Sequence, residues 1–142
     1  MLKEKKINSL KYSFLIAFIL GCLGSLGLAP FNIFLVTLLS LVFSIYLLEK
    51  LDSLKKAFCI GLFYGMGFYI SSLYWIAISL TFDTGLIILI PISIIIIPSF
   101  LSLFFAIPVY LLSFFLKFKN LTLVLIFSLI LGIFEFIRGH IL

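Results

Sequence analysis

The sequence predicts an all-α membrane protein, a bundle of about five transmembrane helices with a cytoplasmic N-terminus. Three observations carry this. Of 142 residues, 65% are hydrophobic and 11% are charged, against about 45–50% and about 25% in soluble domains. A water-soluble core of this size has no room for so much apolar surface. The apolar residues fall into five runs, each near or above the roughly 20 residues a helix needs to cross a bilayer. Finally, nine of the ten basic residues lie in three clusters that alternate with uncharged or acidic connections. Lys and Arg concentrate on the cytoplasmic side, so the net charge of +5 reports topology, and nucleic acid is not an expected partner.

Residues Met1 to Lys11 are basic, with Lys3, Lys5, Lys6 and Lys11 set against Glu4, and acidic headgroups are their expected partner. The first apolar run spans 12–29. A basic start before an apolar run also describes a secretory signal, with Gly27 and Ala29 as small residues at a cleavage site, but Pro30 would follow the cut. Ile19-Leu20-Gly21-Cys22 loosely resembles a lipobox, which should lead into a soluble domain, whereas this chain continues as apolar runs. An uncleaved first span fits better than either. Gly21, Gly24 and Gly27 recur every three residues and form a small-residue face suited to close helix packing.

Ala29-Pro30-Phe31-Asn32 breaks the run, because proline lacks an N–H and disfavours helix in the residue before it. The second run spans 31–48. Residues 49–56, EKLDSLKK, form a basic loop. The third run, 57–80, has no charge over 24 residues. Gly61 and Gly65, four apart, share a face where a neighbouring backbone can approach. Tyr74 and Trp75, near its far end, suit a membrane–water boundary, where rings sit with one part dry and the polar edge wet. Thr81 to Gly85 is a turn carrying Asp83.

The fourth run, 86–116, has 31 residues. A straight helix of that length would measure about 46 Å against a hydrocarbon core of about 30 Å, so it must tilt, kink, project or break. Pro91, Pro98 and Pro108 punctuate it. Pro91 and Pro98 would kink it on nearly one face, giving either a groove for lipid or simple length accommodation. The β-branched Ile94 to Ile97 would favour strand in water, but a lone strand in lipid leaves its backbone unsatisfied, so helix is expected. Lys117 to Asn120 form a basic loop, and the fifth run spans 121–137. Fusing the runs into a topology places 1–11, 49–56 and 117–120 inside, and the turns after 29 and 80 and the C-terminal end outside.

Glu135 and Arg138, three apart, share a helix face and can pair. Ionisable groups in a span mark function or, near an end, an ordinary interfacial ion pair. His140 has no nucleophile motif beside it. Cys22 and Cys59 lie in apolar runs, where thiols behave as small hydrophobes. No metal and no cofactor is expected.

Three stretches, in order, resemble the membrane domain of bacterial apolipoprotein N-acyltransferases. They are Gly24-Ser25-Leu26-Gly27-Leu28-Ala29-Pro30-Phe31; Gly61 to Phe68 with Ser72-Leu73-Tyr74-Trp75-Ile76; and Phe134-Glu135-Phe136-Ile137-Arg138-Gly139, where Phe136 replaces the family's usual Trp. The resemblance implies transfer of an acyl chain from membrane phospholipid to the N-terminal cysteine of a lipoprotein substrate, in the bacterial inner membrane. In that family a nitrilase-like domain carries a Glu-Lys-Cys triad, and no triad residue carries over to these 142 residues. The chain therefore reads as an N-terminal membrane fragment, a truncated product or one half of a split enzyme with a separately encoded nitrilase-like chain, inactive alone. Tyr74, Trp75, Glu135 and Arg138 become candidates for facing lipid or substrate, and Gly21, Gly24, Gly61 and Gly65 for helix packing. A small transporter or channel subunit would need a charged pathway that the first four runs do not show. A non-catalytic membrane-assembly protein is the third reading.

Overall fold

The computed structural model describes residues 2–49, 53–116 and 120–141, with side chains from residue 12 onward except at 84 and 120. The basic loop residues 50–52 and 117–119, and the side chains of the N-terminal lysine cluster, lie outside the described part. Among the described residues the chain is helical, without strands. Five α-helices make the body: α1 (Leu2–Gly24), α2 (Phe34–Glu49), α3 (Leu54–Leu80), α4 (Ile97–Leu112) and α5 (Asn120–Ile141). Three helical segments, Leu54–Leu80, Gly85–Phe115 and Leu121–Ile141, are long and apolar enough to cross a membrane; Tyr12–Gly27 and Phe34–Glu49 are apolar but shorter.

The helices pack in the spatial order α2, α1, α3, α4, α5. The end carrying the 28–33 turn, the 81–83 turn and the C-terminus of α5 is called the upper end below. Burial does not sort by polarity as in a water-soluble protein: Leu48, Ile60 and Leu112 are buried, yet many large apolar side chains face outward. Leu35, Phe82, Ile88 and Leu121 are 70% or more exposed, whereas Ser40, Ser44 and Ser102 are buried. Large apolar side chains face outward because lipid is as apolar as they are, and small residues line the seams because they let backbones approach. The buried hydroxyls are satisfied on their own helices: Ser44 Oγ donates to Leu41 O at 2.7 Å and Ser102 Oγ to Ser99 O at 2.7 Å. A serine can therefore sit in a lipid-facing bundle without an orphaned polar group.

Two glycine seams hold α3 in the centre. On one side, a Cβ at Gly61 would lie 2.8 Å from Ala106 Cα, and a Cβ at Gly65 would lie 2.8 Å from Ser102 Cα. On the other, Gly21 abuts the Tyr64 carbonyl and Gly67 abuts the Phe18 carbonyl, each too closely for a methyl group. The spacing of four at 61 and 65 puts both on the α4 face. Gly24 faces a third feature: Tyr64 Oη and Ser40 Oγ share a 2.8 Å hydrogen bond, and a Cβ at Gly24 would sit 2.7 Å from the former and 2.8 Å from the latter. Thr37 Oγ1 also donates to Gly24 O at 2.7 Å. Gly24 thus leaves space for the polar contact that joins α2 to α3 past α1.

The run from Thr84 to Phe115 stays helical but changes its winding. A 3-10 segment covers Thr84–Leu89, a π turn covers Ile92–Ile96, α4 follows, and a 3-10 turn closes at Ser113–Phe115. Two prolines flank the π turn. Pro91 and Pro98 have no N–H, and a proline ring crowds the carbonyl four residues back. Just before Pro98 the Ile97 N–H reaches back to Ile92 O, a five-residue step that widens the helix. The long run therefore changes pitch around Pro91 and Pro98, keeps Pro108 within α4 and remains one helical rod.

Candidate functional site

The upper end is organised by the turn between α1 and α2. After a 3-10 turn at Ser25–Gly27, Leu28 is extended and Asn32 adopts a left-handed φ of 54°. Asn tolerates that region better than most residues other than glycine. Ile33 N donates to Leu26 O at 3.0 Å and Asn32 N to Leu28 O at 3.0 Å, closing the turn around Ala29 and Pro30, which are joined by a cis peptide bond.

This turn leans toward the C-terminal half of α3. Leu28 and Ala29 from the turn, Tyr69, Ser72 and Trp75 from α3, Leu101 and Phe105 from α4, and Glu135 and Arg138 from α5 enclose a cleft of about 500 Å³. The spacing of three between 69, 72 and 75 keeps the α3 contributions on one face. Tyr69 is 5% exposed and Phe105 6%. Their rings meet edge-on at 5.9 Å, with Phe68 packed on both. The cleft floor is therefore an aromatic cluster and its rim is an ion pair.

The ion pair is tightly built. Arg138 Nε donates to Glu135 Oε2 at 2.9 Å and Nη2 donates to the same oxygen at 2.7 Å. The other carboxylate oxygen, Oε1, accepts from Tyr69 Oη at 3.3 Å. The guanidinium carbon lies 6.0 Å from the centre of the Tyr69 ring, within reach of cation–π attraction. About a third of each charged side chain remains open, 34% for Arg138 and 35% for Glu135. A guanidinium carries more N–H donors than the two engaged here, so Arg138 keeps donors for a ligand in the cleft.

Trp75 is 56% exposed and Tyr74 53%. Trp75, Ser72 and Ala29 also line a second cleft of about 350 Å³, together with Ser25, Phe31 and Tyr74. Tyr74 borders as well an apolar notch of about 280 Å³ between α3 and the π turn, where Ser93, Ile94 and Pro98 form the opposite wall. Trp75 and Tyr74 thus divide neighbouring spaces. The structure brings Trp75, Glu135 and Arg138 together in one cleft, whose lining does not include Tyr74. Gly21, Gly61 and Gly65 lie in the seams below, and Gly24 faces the Tyr64–Ser40 contact.

Tyr69 was not singled out by sequence reasoning. It is 66 positions from Glu135, and a lone phenol in an apolar run gives no sign of its partner. The other titratable groups stand apart from the cleft. His140 Nδ1 pairs with Phe136 O on its own helix at 2.9 Å, and Asp83 Oδ1 accepts from Gly85 N at 2.9 Å, capping the 3-10 segment. Cys22 and Cys59 are free and partly buried, and Cys22 Sγ faces Gly67 O at 3.5 Å.

The stretches 24–31, 72–76 and 134–139 all reach this upper end, and comparison with known proteins names the family they belong to. The family model described as the apolipoprotein N-acyltransferase N-terminal domain matches residues 20–142. Similar curated proteins are apolipoprotein N-acyltransferases of Bradyrhizobium diazoefficiens, 33% identical over 132 residues, Rickettsia typhi, 32% over 128, and Rhodopseudomonas palustris, 29% over 133. Each alignment covers 89% of this chain and 24–25% of the relative, so the chain spans about a quarter of the length of the curated relatives it matches. No solved structure matches. On the family match over most of its length, the chain belongs to the apolipoprotein N-acyltransferase family.

Proposed function

We propose that this chain forms the membrane unit of an apolipoprotein N-acyltransferase, and that the upper cleft receives the phospholipid whose acyl chain the enzyme transfers. The observation that carries the reading is the convergence of the three family-like stretches on a space with an apolar floor and a guanidinium at its rim. An acyl chain is matched by Phe68, Phe105, Leu28 and Leu101, and a phosphodiester by the unengaged donors of Arg138. The five apolar helices cross the bacterial inner membrane with the N-terminus inside, which sets the cleft at the outer leaflet. The lipoprotein acceptor and a nitrilase-like unit holding the nucleophile meet the lipid above it. Neither thiol of this chain suits that nucleophilic role, because each lies within a helix of the bundle and lacks an activating base beside it.

The test is photocrosslinking in membranes. A phospholipid with a diazirine near its headgroup should label the upper ends of α3 and α5, and Arg138→Gln should reduce that labelling severalfold. Labelling spread evenly along the bundle, or unchanged by Arg138→Gln, would refute the assignment of the cleft. Expression with a nitrilase-like partner in a strain depleted of its own N-acyltransferase tests the enzyme assignment separately, by rescue of growth.

A further inference from the structure

We propose that Tyr69 is a positioning residue of this site, which fixes the Glu135 carboxylate and through it aims the free donors of Arg138 at an anionic phosphodiester. The inference rests on the lipid-cleft reading above and adds a residue and a specificity to it. Glu135 and Arg138 are neighbours on α5 and could pair in several rotamers, swinging together about their own helix. One contact limits that swing: Tyr69 Oη donates to Oε1 across from α3. With Oε1 occupied, both engaged Arg138 donors converge on Oε2, and the guanidinium plane is set by the carboxylate and by the Tyr69 ring 6.0 Å away.

Tyr69 is itself held rigidly. Its ring is 5% exposed and is packed edge-to-face by Phe68 at 5.4 Å and Phe105 at 5.9 Å. The phenol is therefore a fixed point to which a long, half-exposed ion pair is tied. In a low-dielectric setting a hydrogen bond to a charged group is worth more than one in water, so a single hydroxyl is enough to select one rotamer of the pair. Without it the apolar floor of the cleft is unchanged, while the headgroup end loses its fixed geometry. The expected signature is a loss of discrimination between lipids with and without a phosphate, and not a loss of lipid binding as such.

Trp75 provides the readout, because it is the single tryptophan of the chain and lines the cleft. The purified, delipidated chain in detergent is titrated with a brominated phosphatidylglycerol and, separately, with the matching brominated diacylglycerol, following quenching of Trp75. Wild type should favour the phospholipid. Arg138→Gln should abolish that preference. Tyr69→Phe should lower it about fivefold, the scale of one ordinary hydrogen bond and in keeping with the 3.3 Å length of this one, with diacylglycerol quenching unchanged. A merely structural role for Tyr69 would weaken both lipids equally, and that result overturns the proposal. So does a wild-type preference in Tyr69→Phe when Arg138→Gln has lost it. A preference that survives Arg138→Gln instead refutes the headgroup site itself. If Tyr69→Phe does not fold, 4-methylphenylalanine against 4-aminophenylalanine at position 69 makes the same comparison at constant shape. Only the second should restore the preference.

Discussion

Gly65→Ala and Gly132→Ala add the same methyl group to two helices of the same bundle, and they should move stability in opposite directions. At Gly65 the new Cβ would lie 2.8 Å from both Ser102 Cα and Ser102 Cβ and 3.0 Å from Ser102 O. Ordinary carbon contacts fall near 3.5–4.0 Å, so α3 and α4 must part by roughly 0.5–1 Å. Backbone lies on the far side, and no flexible side chain can turn away to absorb the shift. A radial gap of that size forfeits a quarter to a half of each dispersion contact along the seam, and overpacking of this kind costs about 1–3 kcal/mol. The gain in helix propensity from Gly to Ala, about 1 kcal/mol, offsets part of this, leaving a net loss of up to about 2 kcal/mol. At Gly132 nothing lies within 4 Å, so only the propensity gain remains and the variant should be as stable as wild type or slightly more so. Thermal unfolding of both variants in one detergent, followed by circular dichroism at the helical band, gives the comparison. Gly61→Ala, on the same seam, should lower the midpoint similarly, and the double variant should fall short of the sum, because helices already parted at one glycine meet less conflict at the next. A Gly65→Ala protein that melts with wild type, or a Gly132→Ala protein that melts well below it, would sink the packing account.

Three further outcomes are expected. Ser40→Ala leaves Tyr64 Oη without its 2.8 Å partner inside the bundle and should cost about 1–3 kcal/mol in the same melting assay, whereas Ser128→Ala, whose hydroxyl bonds only its own exposed helix, should be silent. Reporter fusions after Lys56, Gly85 and Leu142 should read inside, outside and outside; a cytoplasmic signal at Leu142 would contradict five crossings. Incubated alone with labelled phospholipid and diacylated lipopeptide, these 142 residues should transfer no label, and transfer by the single chain would show that a nucleophile has been overlooked.

The class of fold was legible because it depends on composition, and the small-residue face of α3 because Gly61 and Gly65 repeat at the helical period. Ala29-Pro30 marked the break between the first two helices for a local reason, the chemistry of proline. Other features depend on what lies across the bundle. The helix α1 begins at Leu2, ahead of the apolar run that starts at Tyr12, because polar and basic residues wind into helix as readily as apolar ones. Gly21 and Gly24 advertise close packing, but the sequence does not say that the former meets the Tyr64 backbone and the latter makes way for a Tyr64–Ser40 hydrogen bond. At the cleft, Glu135 and Arg138 were visible as a pair through their spacing. Tyr69 was not, since its link to Glu135 exists only once three helices are in place.

The π turn at Ile92–Ile96 has a consequence for the phase of the chain. A π turn accommodates one more residue than an α turn in the same rise, and each residue of an α-helix is worth about 100° of rotation. The turn works as a phase shifter between two lengths of one rod. Downstream, Ser102 and Ala106 stay aligned with Gly65 and Gly61; upstream, residues 84–91 present a different azimuth to the bilayer than an unbroken helix would give them. Losing a single residue inside the turn would let it close into α geometry with both lengths of the rod kept in register, whereas winding the present residues into unbroken α-helix would rotate the upstream length by about 100°. The segment thus absorbs one residue of length, so that the upstream part and α4 can both lie against α3 in their own phase.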